Sequence, residues 1–158
     1  MSLDIPATGA RLEELLSRIR DMRLLLQREE EVLSARDAAL LDQVTATKEQ
    51  LARTINQLSL ALSDELKRLG LPAMPACLDL LPSSDPGRAC LAATWQEIAA
   101  LAAECERLNE ANGAYITLLR QHVQRCLDVL HERPAHNLTY GPDGVGQRPA
   151  TSRRLLSV

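Results

Sequence analysis

His122 and Cys126 stand four residues apart, a spacing that puts two zinc-binding side chains on one face of a helix. No second pair with ligand spacing accompanies them. His131 and His136 straddle Pro134, and Cys77, Cys90 and Cys105 form no Cys-x-x-Cys. Half a site holds no structural metal, so the pair reads as a core-edge histidine beside a buried thiol. The serines and aspartates lack the glycine pattern of a nucleophile elbow. No glycine-rich loop precedes a helix in phosphate-binding form. Glu29-Glu30-Glu31 reads as a solvated helix face rather than a carboxylate site. No catalytic residue, metal ligand or cofactor is expected, which leaves recognition as the chemistry on offer.

The residues suited to recognition lie between Asn109 and Leu130. Asn112 falls on the apolar line of a helical pattern and has two readings. It can be a polar residue that fixes helix register. Alternatively it acts with Asn109 and Gly113, the glycine letting another helix backbone come close and the amides bonding it. After Gly113 the apolar surface widens: Tyr115, Ile116, Leu118, Leu119, Val123, Cys126, Leu127, Val129 and Leu130 cover well over half the helix circumference. A helix apolar that far round needs more than one neighbour.

The elements that position these residues follow from periodicity. From Leu91 to Leu130, the positions 91, 98, 105, 112, 119 and 126 fall on one line and 94, 101, 108, 115, 122 and 129 on the next. That seam predicts a long helix from Pro86 to about Arg133, opened by Asp85 as N-cap with Pro86 first and stopped by Pro134. Upstream, Leu12, Leu15, Leu16, Ile19, Met22, Leu26 and Leu33 predict a helix over 8–33, with Pro6 just before it. The seam then changes phase, to Leu41, Lys48, Ile55, Leu62 and Leu69. Ser34-Ala35-Arg36-Asp37 has capping-box-like spacing, so a second helix is expected over 35–69. Lys67, Arg68, Gly70 and Pro72 mark its end. Residues 71–86 form a proline-rich loop whose centre, Ala76 to Leu81, is apolar enough for a helical turn that covers one end of the bundle.

The expected fold is all-α: three long antiparallel helices in a coiled-coil-like bundle spanning 1–133, then a flexible tail over 134–158. The tail holds Tyr140-Gly141-Pro142-Asp143-Gly144, which is turn chemistry, and Arg153-Arg154. In the antiparallel arrangement the last helix, at about 70 Å, outruns the second, at about 50 Å. The overhang is the apolar stretch around Val123, Cys126, Leu127 and Leu130.

Composition narrows the class. The 158 residues contain no Phe, one Trp and two Tyr, yet 46% are hydrophobic, which suits aliphatic helix seams. Net charge is −3; the tail holds three Arg and one Asp (+2), leaving −5 on the body. That balance excludes a nucleic-acid binder. No apolar run approaches 18 residues, so no stable membrane insertion is expected. The N-terminus lacks a secretory leader, and the four cysteines read as reduced core residues of a cytoplasmic protein.

Trp95-Gln96-Glu97-Ile98, Leu108-Asn109-Glu110-Ala111-Asn112-Gly113, the amphipathic run to Leu130 and Thr139-Tyr140-Gly141-Pro142-Asp143-Gly144 together resemble the FlgN family of flagellar type III export chaperones. Lys48 also matches in pattern, while Gly113-Ala114-Tyr115 departs from the bulkier apolar residues usual after the glycine. The resemblance implies a protein without catalysis that binds the flagellar hook-associated proteins of the hook–filament junction (FlgK/FlgL type) and hands them to the flagellar export gate. It implies client binding in the C-terminal amphipathic region; the candidate residues are Asn109, Asn112, Gly113, Tyr115, Ile116, Leu119, Val123, Cys126, Leu127 and Leu130. It also implies gate docking at Tyr140, with Gly141 and Gly144 holding it on a turn. The alternative is a structural coiled-coil protein that self-associates through the same face. A chaperone reading itself leaves room for weak self-association.

Overall fold

A computed structural model describes residues 3–132 of the chain. The elements are α1 (Ile5–Ala35), α2 (Ala38–Arg68), α3 (Ala76–Asp79) and α4 (Pro86–Glu132). No strand occurs among the described residues, and the all-α class stands. The chain divides into two compact units, Met1–Leu119 and Arg120–Val158. The described part of the second unit is the end of α4, residues 120–132.

Local chemistry explains where each helix of the first unit begins and ends. Asp4 caps α1, its carboxylate accepting from the Ala7 amide at 3.1 Å. Pro6 therefore lies inside the first turn, where its missing N–H costs nothing, rather than before the helix. The break between α1 and α2 falls at residues 36–37. Arg36 takes a left-handed conformation (φ 56°), and its amide donates to Leu33. The N-cap of α2 is Asp37, which accepts from Leu40 N at 3.0 Å. The expected cap, Ser34, instead turns its hydroxyl back to the Glu30 carbonyl at 2.9 Å and stays in α1. A carboxylate also gains from the helix dipole where a serine hydroxyl would not. α2 closes in a Schellman arrangement: Gly70 (φ 69°) donates to Lys67 O at 3.0 Å and Leu71 to Leu66 O at 2.9 Å. Asp85 opens α4 by accepting from Gly87 N at 2.8 Å.

The core is aliphatic. Leu12, Leu15, Leu16 and Ile19 of α1 pack with Leu62 and Leu66 of α2, Cys77 and Leu78 of α3, and Leu91 and Ile98 of α4. Each fully buried leucine contributes about 2 kcal/mol. The four-residue α3 is what the apolar loop centre provides: a turn of helix whose Cys77 and Leu78 join this cluster. Ion pairs give the directions. Arg11 pairs with Glu65, and Glu29 with Lys48, so α2 runs antiparallel to α1. Arg20 meets Glu97 at 2.5 Å and Arg23 meets Glu104 at 3.8 Å, so α4 runs parallel to α1. The exposed pairs among these contribute at most about 1 kcal/mol each; burial, not charge, holds the helices.

Candidate functional site

Three polar residues occupy seam positions on three different helices of the first unit. Glu29 follows Leu26 by three on α1, Lys48 sits on the apolar line of α2, and Asn112 on that of α4. They meet. Lys48 Nζ donates to Glu29 Oε1 at 2.6 Å, and Asn112 Nδ2 donates to Glu29 Oε2 at 2.8 Å and to the Leu26 carbonyl at 3.0 Å. Lys48 also reaches Asn109 Oδ1 at 3.4 Å. Glu29 is only 1% exposed and Asn112 3%. Glu30 and Glu31 do face solvent, but Glu29 is not part of a solvated acidic face. A carboxylate that deep needs both its cation and its amide donor. The cluster therefore fixes the register of α4 against α1 and of α2 against both.

This arrangement decides between the two readings of Asn112. The amide is spent on α1, as a register-fixing residue. A Cβ placed on Gly113 meets nothing within 4 Å, so among the described residues no other helix approaches there. Asn112 is thus withdrawn from the surface, while Asn109 is exposed at the edge of the network.

Beyond the network the character of α4 changes. Leu91, Ile98 and Leu108 are buried. Still within the first unit, Ile116 and Leu119 are half-buried, Tyr115 is 38% exposed and Leu118 62%. Tyr115 and Asn112 border a small pocket of about 200 Å³ with Glu30, Leu33 and Ser34. Within the second unit, Val123 is 55% exposed, Leu127 42% and Leu130 67%. Val123, Leu127 and Leu130 keep the three- and four-residue spacing of one helix face.

The cysteines divide two and two. Cys77 is buried and Cys105 half-buried; Cys90 and Cys126 are exposed, against the expectation of four core thiols. Burial pushes the Cys77 thiol above its ordinary pKa. Burial, and next the Glu104 carboxylate, do the same for Cys105. Cys126 lies 3.8 Å from His122 Nε2 on the exposed helix, so that pair is at the surface and not at a core edge. Among the described residues no three His, Cys, Asp or Glu side chains cluster as a metal site. The gate-docking candidates Tyr140, Gly141 and Gly144, and the whole expected tail, lie outside the described residues.

Sequence reasoning missed Glu29 as a functional group of the fold. The signal was present: a polar residue on the seam of each long helix, at matching heights once α1 and α2 are run antiparallel.

Among the described residues the chain is all-α, and α4 carries a register lock followed by a run of exposed apolar side chains. The profile described as FlgN protein matches residues 1–147, and the chain belongs to the FlgN family. That family comprises flagellar export chaperones rather than enzymes. No curated protein and no solved structure matches the chain. Among the described residues, no helix is long and apolar enough to cross a membrane.

Proposed function

We propose that this protein is a cytoplasmic chaperone of the flagellar type III export system that binds the hook–filament junction proteins (FlgK/FlgL type) and delivers them to the export gate. In this reading α1, α2 and α4 are the three long helices of an antiparallel bundle, α3 is part of a connection, and residues 134–158 serve as a separate tail. The client lies along the C-terminal half of α4, from Tyr115 to Leu130. The observation that carries the reading is the exposure of Val123, Leu127 and Leu130, an apolar set at helical spacing within the second unit. An amphipathic client helix laid on that line would cover it, a helix-in-groove mode anchored at i, i+4 and i+7. Asn109 and Gly113 border the start of the face; Asn112 serves by holding α4 in place. Tyr140 is the gate anchor, a large amphipathic side chain with few rotors to freeze.

The test is capture of the full chain with its bound proteins from a flagellated cell's cytosol, followed by mass spectrometry. The junction proteins are expected to come down in a 1:1 complex. A tight oligomer of the chain alone, with no flagellar protein attached, would favour the structural coiled-coil reading.

A further inference from the structure

In the second unit, His122 and Cys126 stand one turn apart on α4, with Cys126 Sγ 3.8 Å from His122 Nε2. That separation suits two ligands of one tetrahedral zinc ion. With Zn–S at about 2.3 Å and Zn–N at about 2.0–2.1 Å, a tetrahedral angle sets sulfur and nitrogen about 3.6 Å apart. The donor atoms therefore stand close to chelating distance without a change of backbone. Ligands four residues apart on one helix face are also how helical zinc sites hold their metal. Imidazole and thiolate are the ligand types that zinc prefers.

One chain supplies only two ligands, and a structural zinc takes four. Among the described residues no third His, Cys, Asp or Glu joins the pair. A second copy supplies what is missing, because it carries the same pair. Every residue from Arg120 to Leu130 is exposed, so this turn of helix is open to such a copy. The pair also lies where a helix meets a partner helix. His122 and Val129 fall on one line of the seven-residue pattern, and Cys126 on the line beside it. Val129 and Leu130 follow Cys126 by three and four residues and share its face. They are 55% and 67% exposed, apolar surface that pairing covers. A two-fold axis through the metal sets the pair of one copy against that of the other. The result is two thiolates and two imidazoles, a Cys2His2 set.

We infer that His122 and Cys126 are half of a zinc site, completed by the same two residues of a second copy, so that one zinc ion bridges two chains into a dimer. The arrangement is isologous and closed, so it stops at a dimer. Binding displaces the proton of each thiol, so two protons leave per zinc, and the neutral imidazoles release none. The two thiolates balance the charge of the ion. Half a site holds the metal poorly, so zinc uptake and dimerisation occur together. The site lies wholly within the second unit and does not rest on the chaperone reading.

The experiment uses the full chain with Cys90→Ser, which removes the other exposed thiol. The reduced, metal-free protein is titrated with zinc chloride under light scattering, and with cobalt(II) under visible absorption. The mass is expected to double and to level off at one zinc per two chains, and EDTA to return it to the monomer. Cobalt should give the visible bands of tetrahedral coordination together with thiolate charge-transfer absorption. Cys126→Ser and His122→Ala, both surface changes, should keep helicity and melting temperature yet stay monomeric at the same zinc concentration. A mass that doubles with zinc in either variant would overturn the inference. So would one zinc per chain with no change of mass, or a dimer that forms without metal and ignores EDTA. A protein that takes up no zinc would overturn it too, leaving the pair as a surface hydrogen bond.

Discussion

Glu29 is the residue on which the arrangement of the helices turns. It is a carboxylate with 1% of its surface exposed, held by one ammonium and one amide. Removing one partner of such a pair leaves a buried charge and costs about 3 kcal/mol, whereas replacing both by apolar groups is close to neutral. Lys48→Met should therefore lower the urea midpoint strongly, and the double variant Glu29→Leu with Lys48→Met should recover most of the loss. Simple addition of the two single effects would show that the charges act separately. The cysteines give a second residue-scale expectation. Cys90 and Cys126 are exposed and should alkylate quickly at neutral pH. Cys77, buried, should lag until the protein unfolds, and Cys105, half-buried with its thiol pKa raised, should react at an intermediate rate. Four thiols reacting at one rate would contradict the burial.

At the scale of the element, the two helical glycines of α4 should respond oppositely to one change. Gly113 sits in mid-helix with open space, so Gly113→Ala should stabilise by about 1 kcal/mol through helix propensity. Gly87 packs against α1, where a Cβ would lie 2.5 Å from Ile5 Cγ2 and 3.2 Å from the capping Asp85 carboxylate. Overpacking of that kind costs about 1–3 kcal/mol, so Gly87→Ala should destabilise. Thermal melts of the two variants check both signs. Element ends were legible where one residue type had one use: Gly70 with Lys67 and Arg68 behind it, and Asp85 before Pro86. The α1–α2 break was legible only to within a few residues, because Ser34 and Asp37 are both good caps and only folding chooses between them. Glu29 was hidden by its neighbours: three consecutive glutamates look solvated, although the seam places the first of them three residues after Leu26. Asn112 was legible as a seam residue, but its partner on α1 was not, since nothing in one helix states which residue of another stands opposite.

At the scale of the whole molecule, the proposed function puts client binding on α4 and gate docking on the tail. Tyr140→Ala should leave client affinity and bundle stability unchanged, weaken binding to the gate's cytosolic domain and lower secretion of the junction proteins. Paired titrations on that one variant check it; equal loss in both, or in neither, would mean that the two surfaces are not separate sites. On the proposed reading, Arg153 and Arg154 would add attraction to an acidic surface of the gate, screened beyond about 8 Å at physiological salt.

The client face itself is tested most directly by titrating a FlgK/FlgL-type client against Ile116→Glu, Val123→Glu and Leu127→Glu, with circular dichroism melts of each variant alongside. Val123 and Leu127 are exposed and Ile116 half-buried, so a charge at each should be tolerated by the fold. Each should weaken client binding by about 30-fold or more, the scale of an interface anchor, while helicity and melting temperature stay near the parent's. Variants that unfold would show the stripe to be intramolecular core; variants that fold and bind client like the parent would show that the client lies elsewhere.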